Sequence, residues 1–125
     1  MKFAKIVFRI AGISGFLIVT PLYFTFDLIG RKDPPPITHP AFYYGFVGVT
    51  LAWQVAFLII ASDPLRFRQL MIPAILEKLA YSIPLLILIS QKRTSPNDLV
   101  FVGIDLLLCF LFVLAYLGTP RPAAG

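Results

Sequence analysis

Charge is scarce in this chain. Asp, Glu, Lys and Arg together make up 14% of its 125 residues, where a soluble domain carries roughly 25%. There is one cysteine, Cys109, so no internal disulfide can form, and the sequence gives no reading of redox compartment. Cys109 lies deep in an apolar segment and reads as a small packing residue. The one histidine, His39, excludes bis-histidine haem ligation, and no cysteine or carboxylate spacing completes a zinc site around it. No glycine-rich phosphate loop and no nucleophile–base pair is visible, so neither an enzyme nor a cofactor is expected. The net charge of +5 comes from eleven scattered Lys and Arg residues. None forms the run of about 5–8 basic residues that marks a nucleic-acid patch, so no nucleic-acid partner is expected.

What the chain has instead is apolar length. Hydrophobic residues are 58% of it, and they gather into four runs long enough for a helix of about 20 residues to cross a ~30 Å hydrocarbon layer. The sequence therefore predicts an all-α, four-transmembrane-helix bundle forming a single integral membrane domain. Its helices are placed at about 6–29, 40–62, 64–90 and 96–117, with a polar, proline-rich loop at 30–39. The lipid bilayer is the first partner this implies.

The first run follows Lys2 and Lys5 and contains Arg9. A cationic start before an apolar run also describes a secretory signal. Bulky Tyr23, Phe24 and Phe26 stand where small residues would precede a cleavage site, so a retained span is expected, capped at Gly30. Pro34-Pro35-Pro36 favours a stiff polyproline stretch, and Pro40 suits the first turn of the second span. Asp63-Pro64 reads as a helix start. Pro73 and Pro84 fall inside the third span and are expected to kink it. Ser95-Pro96-Asn97-Asp98 has the spacing of a capping box before the fourth span. Gly118-Thr119-Pro120 ends that span, and the tail beyond it is too short to fold. Ala11/Gly15 and Gly48/Ala52 are small pairs that permit close helix approach.

Four spans put both termini on one side. That side holds Lys2, Lys5, Arg9, Arg66, Arg68 and Arg121, six basic residues against four (Arg31, Lys32, Lys92, Arg93) on the other. Basic residues stay cytoplasmic, so cytoplasmic termini are expected. Tyr23, Phe24, Phe26, Phe42, Tyr43 and Tyr44 would form an aromatic belt at the outer interface, with Asp27 and Asp33 solvated nearby.

The intramembrane polar residues are the local clue to function. The third span holds twelve Leu, Ile and Met residues from Leu70 to Ile89, enough apolar driving force to offset the insertion cost of Glu77 and Lys78. At about 1.5 Å per residue, Glu77 lies ~11–12 Å below the boundary on the terminal side, level with Gln54. Arg9 enters somewhat higher, so Arg9, Gln54 and Glu77 are expected to share a polar layer. Lys78 sits near the midplane and can reach Asp105 on the fourth span, with Tyr81 at a similar height. Such groups either hold the bundle together by interhelical hydrogen bonds or mark a proton or ligand site.

The order of parts resembles the DoxX-like superfamily of small bacterial four-helix membrane proteins. The resemblance rests on a first span, a polar outer loop, then "FYYGFVGVTLAWQVAFLIIASDP" leading through "LRFRQLMIPAILEKLAYSIPLL" to a last span with an acid. It implies a multi-pass protein of the bacterial inner membrane with an accessory role in oxidative or respiratory processes. It transfers no site residues. Two functions follow as expectations: a scaffold or accessory subunit packing against a membrane partner, or a small oligomeric proton- or ion-coupled transporter or channel using Glu77 or Asp105.

Overall fold

The computed structural model describes residues 2–121. Among these there are five α-helices and no strand: α1 Lys2–Val19, α2 Phe26–Lys32, α3 Pro40–Ser62, α4 Met71–Ser90 and α5 Leu99–Gly118. Short 3-10 segments at Thr20–Phe24, Arg68–Leu70 and Pro96–Asp98 extend three of them. Four continuous stretches of 23 residues each (Lys2–Phe24, Pro40–Ser62, Arg68–Ser90 and Pro96–Gly118) are long and apolar enough to span a membrane. At about 1.5 Å per residue each covers the hydrocarbon layer. The protein is an all-α bundle of membrane-spanning length.

Local chemistry sets the boundaries, and several differ from the sequence expectation. Pro21 lies at the start of the 3-10 segment that ends α1, and the chain breaks at Thr25. The expected continuous helix over 6–29 is therefore two elements, with α2 folded separately. Gly30 does not cap the first span. It is buried inside α2, where a Cβ would meet the Pro36 backbone at 3.2 Å. At the end of α3, Asp63 Oδ1 accepts from the Arg66 N–H at 3.3 Å, closing a turn and not starting a helix, so α4 begins at Met71. Pro73 accordingly falls in the first turn of α4, where its missing donor costs nothing, and only Pro84 interrupts the helix interior.

Ser95 Oγ does accept from Asn97 N–H at 3.2 Å. Asp98 does not reach back to the Ser95 backbone as a capping box requires; its carboxylate accepts from the Thr94 hydroxyl. The α4–α5 turn is a Schellman arrangement, with Arg93 N–H bonded to Leu88 O at 2.9 Å and Lys92 N–H to Ile89 O at 3.0 Å. Lys92 occupies the left-handed position, with φ 58°. Of the expected short tail, only Arg121 lies within the described residues.

Packing is uneven along the bundle axis. In the half nearer the termini, Phe8 stacks on Phe112 at 4.2 Å between centroids, and Phe57 meets Phe112 edge-on at 5.1 Å. Ala4, Ala11, Ala61, Ala74 and Ala115 close around these rings. Arg68 Nε donates to the Thr119 carbonyl at 2.7 Å, and its guanidinium lies 3.9 Å from the Tyr116 ring centroid. That contact ties the α3–α4 connection to the end of α5.

In the loop-side half, four of the six belt aromatics, Tyr23, Phe26, Tyr43 and Tyr44, form a cluster joining α2 to α3, while Phe24 and Phe42 stand exposed outside it. Phe26 packs edge-on against Tyr43 at 5.0 Å, and Tyr43 Oη donates to the Leu22 carbonyl at 2.6 Å. Helix α1 lies against α3 and α5, and α4 against α5, but α3 and α4 hardly touch. Of the two small pairs, Ala11/Gly15 faces α3, whereas Ala52 is exposed and Gly48 makes room for the Tyr23 hydroxyl.

Candidate functional site

Loose packing between α3 and α4 leaves a cavity of about 380 Å³ in the loop-side half of the bundle. Its lining runs from Ala11 and Lys78 at mid-span to Asp33 and Asp98 at the loop end, and every helix contributes to it. Helix α2 and the residue after it supply the roof, through Ile29 and Asp33.

The floor is built from α4 and α5. Lys78 is 5% exposed. Its Nζ lies 3.3 Å from Asp105 Oδ1 and 3.5 Å from Glu77 Oε2, and 5.1 Å from the Phe57 ring centroid. The Asp105 contact is a hydrogen bond. Glu77 Oε2 is buried and has no hydrogen-bond partner, so it interacts with Lys78 through charge alone. The side chains of Glu77 and Asp105 are 15% and 18% exposed, which leaves both carboxyls in reach of the cavity.

One ammonium facing two carboxylates leaves a formal excess of one negative charge. In a medium that solvates ions poorly, an uncompensated carboxylate is expensive. A proton or a second cation is what completes such a group.

The largely apolar walls carry a few polar side chains. Gln54 is 2% exposed, and its Nε2 donates to the Thr50 carbonyl one turn earlier at 2.8 Å. Its side chain lies over Gly15 of α1: a Cβ there would sit 1.8 Å from Gln54 Oε1. The absence of a side chain at position 15 is therefore what lets Gln54 fold between α1 and α3. Across the α3–α4 gap, Phe46 and Tyr81 stack at 6.1 Å and close the cavity's flank.

Five of the six residues singled out from sequence (Gln54, Glu77, Lys78, Tyr81 and Asp105) line this one cavity. Arg9 does not. It is exposed, because the inward face of α1 is Ala4, Val7, Phe8 and Ala11. A residue one position past Phe8 is turned about 100° away from that face. The expected layer of Arg9, Gln54 and Glu77 is thus replaced by the trio Glu77, Lys78 and Asp105, with Gln54 on the opposite wall. Tyr81 makes no hydrogen bond to Asp105 among the described residues; it contributes a ring.

Sequence reasoning missed Ser14, Thr50, Asp33 and Asp98 as lining residues. Ser14 is three residues after inward-facing Ala11, and Thr50 is one turn before Gln54, so helical periodicity carried both signals. Nothing in the sequence places Asp33 and Asp98 together. His39 makes a 2.9 Å contact through Nδ1 with Thr38 Oγ1 at the start of α3, away from the cavity lining. Among the described residues, no three His, Cys, Asp or Glu side chains gather as metal ligands would. Comparison with protein-family models, curated proteins and solved structures found no match.

Proposed function

We propose that the protein is a small membrane transporter or channel that takes its ligand into this cavity, with Glu77 or Asp105 exchanging a proton or an ion against it. The observation that carries the reading is the trio at the cavity floor, where one buried ammonium stands between two carboxylates at 3.3 and 3.5 Å. Intramembrane acids that face a cavity are the usual elements of proton and ion pathways. The Phe8–Phe57–Phe112 stack fills the terminal-side half, so passage through the bundle requires that stack to move or a path between copies of the chain.

Location follows the same reasoning. The basic excess on the terminal side supports cytoplasmic termini, and the DoxX-like layout supports a bacterial inner membrane. The test is proton uptake by proteoliposomes holding a pH-sensitive dye, driven by a potassium diffusion potential. Glu77→Gln is expected to abolish the flux while circular dichroism stays unchanged. Flux that persists in this variant would remove Glu77 from the mechanism.

A second reading is favoured by one observation: Lys78 holds Asp105 across the α4–α5 interface, as a purely structural pair would. On that reading the protein is a scaffold or accessory subunit packing against a membrane partner. Absence of flux in the native protein, together with a membrane protein that co-purifies in mild detergent, would support it.

A further inference from the structure

We infer that the ligand of the cavity carries an ammonium group: a small organic cation with an apolar body. This rests on the reading of the cavity as a ligand site and names what it selects. The charges on its lining are Glu77, Asp105, Asp33 and Asp98 against Lys78 alone. An anion entering from the loop end would pass two acids and then meet an ammonium already held by two more. On the lining itself a cation meets net attraction. The loop face beyond it also carries Arg31, Lys32, Lys92 and Arg93, so selection rests on the lining, where the floor supplies the negative charge that Lys78 leaves unmatched.

The remaining lining agrees. Gln54 donates one N–H of Nε2 to the Thr50 carbonyl, and its Oε1 makes no hydrogen bond among the described residues, which leaves an acceptor there. The stacked Phe46 and Tyr81 rings and Phe101 offer aromatic surface, which binds alkylammonium groups through their π faces. Much of the lining is apolar, as a ligand with a hydrocarbon body needs. A cavity of about 380 Å³ falls at the small end of ligand sites, which run from about 300 to 1,000 Å³. An ammonium can arrive as a free organic cation or as the headgroup of an amine lipid, and the chemistry at the floor is the same for both.

The test uses the intact protein in nanodiscs of phosphatidylglycerol, which has no ammonium, with empty nanodiscs as the blank. Hexylammonium, hexanesulfonate and octan-1-ol are titrated separately by calorimetry. Saturable binding of hexylammonium, at least about 10-fold tighter than either of the other two, is expected. Asp105→Asn should weaken it by roughly 10-fold or more, as loss of one charge-assisted contact does. Asp33→Asn, at the exposed rim, should weaken it by about 2- to 5-fold, and less at high salt. The rim variant keeps the test decisive if Asp105→Asn does not fold.

Replacing half the lipid by phosphatidylethanolamine separates the sources. A drop in apparent cation affinity identifies the lipid headgroup as the occupant, and no change identifies a free organic cation. Preferred binding of hexanesulfonate or octan-1-ol would overturn the cation assignment while leaving the cavity a ligand site. Binding of none of the probes would overturn both.

Discussion

Removing the ammonium at position 78 is the sharpest way to perturb this molecule. Among the described residues, Lys78 Nζ is the one cation within reach of Glu77 Oε2 and Asp105 Oδ1, at 3.5 and 3.3 Å. Lys78→Met keeps an unbranched apolar stem one atom shorter, and deletes the charge together with the hydrogen bond to Asp105 and the cation contact with Phe57. Two carboxyls, each less than one-fifth exposed, then face each other with nothing between them. Deleting one partner of a buried pair costs about 3–5 kcal/mol, most of it the desolvation of what is left behind. The cavity admits water to this group, so the lower half of that range, about 3 kcal/mol, is expected here. That corresponds to roughly a 100-fold shift in the folding equilibrium.

The assay is reversible unfolding in mixed micelles, titrating a denaturing detergent and following helicity. The double variant Lys78→Met/Asp105→Asn should recover more than half of the loss, because it removes one of the two stranded acids. A single-variant loss below about 0.5 kcal/mol, the level of an exposed ion pair, would refute the claim that the trio is a desolvated unit. So would a double variant no more stable than the single one.

Two further substitutions test the supporting geometry. Gly15→Ala places a methyl where Gln54 Oε1 now lies and should cost about 1–3 kcal/mol by overpacking; Gly15→Ala/Gln54→Ala should restore most of it in the same unfolding assay. Lys92→Gly relieves a left-handed residue with φ 58° in the Schellman turn and should stabilise by about 0.5–1 kcal/mol, read as a higher thermal midpoint; a lower midpoint would contradict the turn described.

The spans were legible because apolar length is a one-dimensional property. Height along a helix is nearly so, which is why counting residues puts Lys78 within reach of Asp105. Azimuth is harder. Arg9 has the right depth, but the Ala4–Val7–Phe8–Ala11 face turns it outward. That face could have been read from helical periodicity. Pro21 marked the end of α1, yet the apolar run continues past it to Phe26, so α2 (Phe26–Lys32) stayed hidden across the end of the predicted span and the start of the predicted 30–39 loop. The cavity was not legible at all. It lies where α3 and α4 make little contact and Gln54 packs over Gly15, a matter of three-dimensional packing that neither segment shows alone. Asp33 and Asp98 share its rim only because loops distant in sequence meet there.

The central claim is that this polypeptide crosses a bilayer four times, with its polar loops on one face and its basic turn and N-terminus on the other. Labelling by a membrane-impermeant maleimide tests it in sealed vesicles, starting from a Cys109→Ser background. Lys32→Cys and Lys92→Cys should react from one side only. Lys5→Cys and Arg66→Cys should react only after the vesicles are opened or inverted. Labelling of all four positions from the same side of an intact vesicle would contradict the account.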